Sequence, residues 1–255
     1  MRASIAAAFT AVLVLALGAT PGRAQTPAAA PKPAEAPKPA TTGSLSVGLA
    51  VTSGNKDTST FNAGFEVVHD PKTRNVFKTS GLLLRGSTDG ALTAEQYGLT
   101  ARDEYTIGKR AFAYGDFRYL RDKFKGISYL LSPTAGLGYR AVETAATTVS
   151  LSAGVGGVWE KNPGETVNTS GAVTADEKLT RSLSKTTSVT QKLSALWKTG
   201  DFSDALYTFS AALAATVVSQ AQLKIEFLDT YKATPPDPAL KKNDVALLLG
   251  LVYKF

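Results

Sequence analysis

From Gly43 to Phe255 hydrophobic and polar positions alternate along the chain. Alternation places successive side chains on opposite faces of an extended strand, which a helix would not do. Twelve segments carry the pattern, near 44–53, 58–69, 73–86, 93–107, 111–121, 127–141, 146–160, 172–183, 187–198, 205–218, 222–231 and 245–255. The first sets Leu45, Val47, Leu49 and Val51 against Ser46, Gly48, Ala50 and Thr52. The seventh sets Leu151, Ala153, Val155 and Trp159 against Ser150, Ser152, Gly154, Gly156 and Glu160. The tenth sets Tyr207, Phe209, Ala211, Leu213, Ala215 and Val217 against Thr208, Ser210 and Thr216.

Two segments fit less well. The third has Leu82, Leu83 and Leu84 in a row, which leaves its register open. In the eighth, Glu177 and Arg181 share a face with Val173, Ala175, Leu179 and Leu183; the other face is Thr174, Asp176, Lys178, Thr180 and Ser182. A bulge, or a strand standing mostly above a bilayer, would reconcile this pattern.

The start of the chain reads as an address. Met1-Arg2 is a positive leader, Ile5 to Leu17 an apolar run, and Gly22-Arg23-Ala24 a small-residue cleavage site; residues 1–24 read as a secretory signal peptide. Residues 25–42 form a Pro/Ala-rich stretch that cannot bury a core and reads as a disordered linker. Later apolar stretches such as 211–218 and 245–252 are shorter than the ~20 residues a helical span needs.

An exported chain of alternating segments is either a soluble β protein or a membrane barrel. Three features favour the barrel. With the N-terminus in the periplasm, the inner turns are short, while the outer loops 87–92, 161–171 and 232–244 are longer; the outer loops near Asn55 and Asp201 are short too, so the asymmetry is a tendency. Aromatic residues gather in two belts, as anchoring at two interfaces requires: Tyr97, Tyr129, Trp159, Trp197 and Tyr207 at the outer ends, Tyr105, Tyr139 and Tyr253 at the inner ends. The chain also finishes on one apolar face, Leu247, Leu249, Leu251, Tyr253 and Phe255, so that Leu251, Tyr253 and Phe255 read as a C-terminal assembly signal. The expected fold is all-β: an antiparallel up-and-down transmembrane β-barrel over residues 43–255.

Asp116, Arg121-Asp122-Lys123-Phe124, Gly136-Leu137-Gly138-Tyr139-Arg140, Leu151-Ser152-Ala153-Gly154-Val155-Gly156 and Gly250-Leu251-Val252-Tyr253-Lys254-Phe255 together resemble the YdiY-like family, a domain of unknown function (DUF481). Its members carry the label of salt-induced outer-membrane proteins. The resemblance runs from Leu45 to Phe255. It implies a location in the Gram-negative envelope and a barrel fold, and no catalytic residue.

Composition narrows the chemistry. There is no cysteine, which excludes disulfides, thiolate metal sites, a Cys nucleophile and lipid attachment to a Cys. The one histidine, His69, stands beside the turn Asp70-Pro71 and reads as an interfacial residue rather than half of a Ser-His pair. No metal site and no cofactor are expected. The formal charge of +7 falls to +5 once Arg2 and Arg23 leave with the leader (7 − 2 = 5), and the basic residues are scattered, so nucleic acid is not an expected partner. The expected partners are outer-membrane lipid and, during biogenesis, the barrel-assembly machinery and periplasmic chaperones. The Gly136/Gly138 and Gly154/Gly156 pairs lack the further glycine and the helix of a phosphate loop and read as small residues of an inward face.

That inward face holds the candidate site: Glu66, Arg102, Glu104, Asp116, Arg118, Arg140, Glu160, Lys192, Lys198, Lys224 and Glu226. Mixed signs on neighbouring strands imply salt bridges across a lumen. They imply either a plugged structural barrel or a narrow polar pathway for a small solute. An outer-membrane barrel enzyme acting on lipid or peptide and a soluble periplasmic ligand binder are the alternatives.

Overall fold

The computed structural model describes residues 39–53, 58–88, 91–123 and 125–255. The expected signal peptide, the linker as far as Lys38 and the loop near Asn55 lie outside the described residues. Twelve strands follow in order: β1 (Thr41–Ser53), β2 (Thr58–His69), β3 (Asn75–Thr88), β4 (Ala91–Thr106), β5 (Ala111–Asp122), β6 (Ile127–Glu143), β7 (Thr147–Lys161), β8 (Asn168–Ser182), β9 (Thr187–Lys198), β10 (Asp201–Val218), β11 (Ala221–Lys232) and β12 (Asn243–Lys254). Each pairs antiparallel with its sequence neighbours, and β12 returns to pair with β1, from Ser44 opposite Lys254 to Ser53 opposite Val245. The sheet therefore closes without an edge, and every strand finds hydrogen-bond partners inside the molecule. At the seam Gly43 and Phe255 exchange two backbone hydrogen bonds of 3.0 Å. The Phe255 ring lies over Gly43, where a Cβ would stand 2.4 Å from the ring.

The strands run further than the alternation predicts. β1 begins at Thr41, inside the stretch read as linker, and β8 and β10 begin at Asn168 and Asp201. The expected outer loop 87–92 shrinks to the connection between Thr88 and Ala91. Past the apolar band a side chain has water on both sides and no reason to alternate, yet the neighbouring backbone still offers partners. Bulges between Gly86 and Ser87 and between Asp201 and Ala205 absorb the irregularity. Call the end carrying Thr41 and Lys254 the terminal end and the opposite one the distal end. Only the distal loops 162–167 and 233–242 exceed the longest terminal-end turn, 70–74, so the expected loop asymmetry is confined to two loops.

The outward face is apolar. Leu137, Val155 and Val217 are 63%, 66% and 63% exposed, and Leu45, Val47, Phe61, Ile225, Leu249 and Leu251 join them. A soluble sandwich would cover such a face with a second sheet, and a water-soluble surface rarely carries a contiguous apolar area this large.

The two poorly fitting strands resolve without special devices. In β3, Leu83 pairs with Ala63 on the outward face, whereas Leu82 and Leu84 point inward. Leu84 packs there with Leu228, Ala246 and Leu248. β8 pairs in unbroken register with both neighbours. Glu177 does face outward, opposite Leu151 and Leu193, and accepts a hydrogen bond from Gln191 Nε2 at 3.2 Å. At the terminal-end turn Lys72 adopts φ 62°, and the Asp70 carboxylate accepts both its backbone N–H (3.0 Å) and its Nζ (2.6 Å). Those bonds hold the Asp70 carboxyl below its usual range.

Candidate functional site: the charged lumen

Opposed residues in an antiparallel ladder share a face, so the registers carry the inward face around the barrel. Lys78, Arg102, Asp116 and Thr134 form one inward row across β3 to β6. Arg140, Ser150, Lys178, Lys192 and Ser210 form another across β6 to β10. All eleven residues singled out from the alternation lie on inward rows, and they sort into three levels.

At the distal end Glu160 is the centre. Its two oxygens take Lys198 Nζ at 2.7 Å and Lys232 Nζ at 2.8 Å, and Asp204 pairs with the same two lysines. The Glu160 and Lys232 side chains are 0% and 3% exposed, so this is a closed four-charge cage rather than a solvated rim. Beside it Lys125 Nζ pairs with Asp244 at 3.0 Å and donates to the Lys242 carbonyl at 2.9 Å. Asp122 accepts from Gln96 Nε2 at 2.8 Å and from the Lys125 backbone at 3.2 Å. Gly126, at φ +64°, lets the β11–β12 loop close over this side: a Cβ there would stand 2.7 Å from Pro236. Beneath lies an inward apolar cluster of Ile127, Leu130, Val158, Ala172 and Leu196, with Leu120 and Leu206 against it.

At mid-height Arg118 reaches across the bore. It pairs with Asp116 on its own strand at 3.0 Å and with Asp176 on β8 at 2.6 Å. Arg102 donates to Ser152 Oγ at 3.0 Å and lies 3.7 Å from Asp176. Its guanidinium sits 3.7 Å from the centroid of the Tyr114 ring, and that of Arg140 sits 5.0 Å from Phe112. The inward glycines of β6 and β7 are what let these rings lie flat on the wall. A Cβ at Gly138 would stand 2.1 Å from the Phe112 ring, and one at Gly154 would stand 2.4 Å from the Tyr114 hydroxyl. Arg102 and Arg140 are thus each held between a ring and a carboxylate, which fixes their positions in the bore.

Towards the terminal end, Glu104 gathers Lys78 at 2.7 Å, Arg102 at 3.2 Å and Arg140 at 3.6 Å. Lys192 on β9 meets Glu66 on β2 at 2.7 Å, a pair between strands separated by four others in the ring. Lys224 pairs with Glu226 two residues on, at 2.8 Å.

Sequence reasoning missed Lys78, Asp122, Lys125, Asp176, Lys178, Asp204, Lys232 and Asp244. Lys78, Asp176 and Lys178 belong to the two strands whose register the pattern left open. Lys125, Asp204, Lys232 and Asp244 fall beyond the alternating segments. The parity of β8 carried the signal, since Asp176 and Lys178 share a face with Thr174 and Thr180.

On the outward face the registers place Trp159, Trp197, Tyr97, Tyr129 and Tyr207 towards the distal end and Tyr105, Tyr139 and Tyr253 towards the terminal end. Trp197 Nε1 donates to the Tyr207 hydroxyl at 2.9 Å, the two rings edge to face. Tyr231, absent from the sequence reading, extends this group, its ring 6.0 Å from that of Tyr207. His69 Nδ1 lies 2.8 Å from Thr41 Oγ1 at the terminal end. Among the described residues no group of three or more His, Asp or Glu side chains converges where a metal ion could sit.

The model of a protein family of unknown function, DUF481, matches residues 45–255. No curated protein matches the chain in sequence. Several solved structures share the fold. The NanC porin aligns with a TM-score of 0.56 at 10% identity, over 83% of this chain and 100% of that one. The COG4313 outer-membrane channel from Pseudomonas putida F1 gives 0.52 at 15% identity, over 89% and 100%. The translocator domain of the autotransporter NalP from Neisseria meningitidis gives 0.50 at 9% identity, over 87% and 90%.

Proposed function

From the premise that this chain belongs to the DUF481 family, matched over residues 45–255, we propose that it is an integral barrel of the Gram-negative outer membrane whose ion-paired lumen is a narrow conduit for small solutes. One observation carries the reading: an apolar face directed outward around a closed barrel whose interior is crossed by salt bridges. This inverts a soluble protein and suits a lipid solvent. The aromatic belts and the outer-membrane channels that share the fold support it. The terminal end would face the periplasm, once the signal peptide is removed after Ala24. The structure gives the enzyme alternative no support: the one histidine bonds a threonine at the terminal end, and the lumenal carboxylates are engaged by cations.

Arg118–Asp176 and the distal apolar cluster narrow the bore, so refolded protein in a planar bilayer is expected to conduct weakly. Removing the crossing pair with the double variant Arg118→Ser/Asp176→Ser leaves the lumenal charge balance unchanged and should raise single-channel conductance several-fold. A wild-type conductance like that of an open porin, indifferent to this variant, would contradict the narrow-lumen reading.

Phe255 supports the assembly half of the proposal. Its ring packs over Gly43, and its backbone closes the last rung of the seam. As a partly exposed lipid contact it contributes less than the roughly 1.5–3 kcal/mol of a fully buried Phe, too little to unfold twelve paired strands. Deleting it should therefore slow assembly in cells, seen as periplasmic accumulation or degradation, while the purified variant still refolds in detergent. Normal assembly of the deletion would remove the C-terminal signal from the account.

A further inference from the structure

We infer that the terminal-end half of the lumen is a binding site for a small multivalent oxyanion of the phosphate or polycarboxylate class. The inference rests on the proposed reading that this end of the lumen opens to the periplasm. The two ends of the bore differ in charge balance. At the distal level Lys125, Lys198 and Lys232 are matched by Glu160, Asp204 and Asp244, with Asp122 beside them, and no lumenal cation among the described residues is left over. From mid-height to the terminal end Lys78, Arg102, Arg118, Arg140, Lys178, Lys192 and Lys224 face Glu66, Glu104, Asp116, Asp176 and Glu226. Two cationic charges are therefore surplus there (7 − 5 = 2).

Lys178 is the clearest surplus cation. It is exposed, makes no ion pair among the described residues, and stands between Ser150 and Lys192 in the row that begins at Arg140. The lumen around it is open to water: Lys192 and Glu66 are 42% and 56% exposed even though they pair with each other. Arg102 and Arg140 are held against Tyr114 and Phe112, so two guanidiniums are in place before any ligand arrives. Guanidiniums and ammoniums converging from several strands suit a compact ligand with oxygens on several sides. A univalent ion would engage only one of these cations at a time, whereas a phosphate or a tricarboxylate would engage several. Glu66 already occupies Lys192 and competes with the anion for it.

That competition gives the test a sign a structural role would not produce. Mature protein refolded in detergent would be titrated calorimetrically with inorganic phosphate and, separately, with citrate. Saturable binding by at least one probe is expected, weakening as ionic strength rises. Lys178→Gln/Lys192→Gln should weaken it at least several-fold, Glu66→Gln should strengthen it, and Lys161→Gln, at the distal end of the outward face, should leave it unchanged. Each variant is first checked for folding by its heat-dependent gel mobility. Absence of saturable binding by folded wild-type protein, or equal affinity in the double lysine variant, overturns the inference. Should the double variant fail to fold, Glu66→Gln decides: unchanged or weaker binding overturns it. A barrel that conducts nothing but binds the probe would sink the conduit reading alone.

Discussion

Replacing Val155 with Arg is expected to cost about 2–4 kcal/mol of folding stability in a lipid bilayer, the range for an arginine at the midplane of a barrel's lipid face. Val155 stands near the middle of β7 on the outward face, between Ala135 of β6 and Val173 of β8, so nothing in the molecule could shelter the guanidinium. The same substitution at Val142, also outward but two residues from the 144–146 turn, should cost only about 0–1 kcal/mol, because the penalty falls towards the interface. Denaturant titration of each variant in bilayers of fixed thickness reads the difference. Equal costs at the two positions would mean that the outward face does not sample a hydrocarbon gradient.

The second large effect is expected inside the distal end. Glu160→Gln removes the carboxylate shared by Lys198 and Lys232 while keeping its volume. Breaking a buried pair by deleting one partner typically costs about 3–5 kcal/mol, since the remaining charge stays buried. Asp204 still pairs with both lysines, so a value near 3 kcal/mol, the lower end of that range, is expected. The double variant Glu160→Gln/Lys232→Met should recover part of the loss, because it no longer leaves a buried ammonium without its carboxylate. Equilibrium unfolding followed by gel mobility would check both values. A cost below about 1 kcal/mol, as for an exposed pair, would show that this cage is wet.

Much of this architecture is legible in the sequence, for a specific reason. Lipid outside and a polar lumen inside impose alternation on both faces, so Leu45 to Val51 and Leu247 to Phe255 announce their strands and the inward set from Glu66 to Glu226 falls out by parity. Where the constraint lapses, legibility goes with it. The ends of β8 and β10 extend into water, and their polar residues carry no face label. Leu82 and Leu84 point inward because an apolar cluster sits in the lumen there, which alternation does not anticipate. Parity names a face but no partner. That Arg118 would meet Asp176, or that Lys192 would meet Glu66 from across the ring, depends on the dimensions and tilt of the closed sheet. That Gly138 and Gly154 are small residues of an inward face is legible, but not which rings they make room for, since Phe112 and Tyr114 come from β5, one strand away from Gly138 and two from Gly154.

Whether the outward apolar face meets lipid is decided by separating the envelope of cells expressing the full chain on a density gradient and running the fractions with and without boiling. The mature protein is expected to co-sediment with outer membranes, to come into solution only with detergent, and to change mobility on boiling because a closed barrel resists unfolding by detergent. Recovery in the soluble periplasm, with the same mobility before and after boiling, would contradict a lipid face.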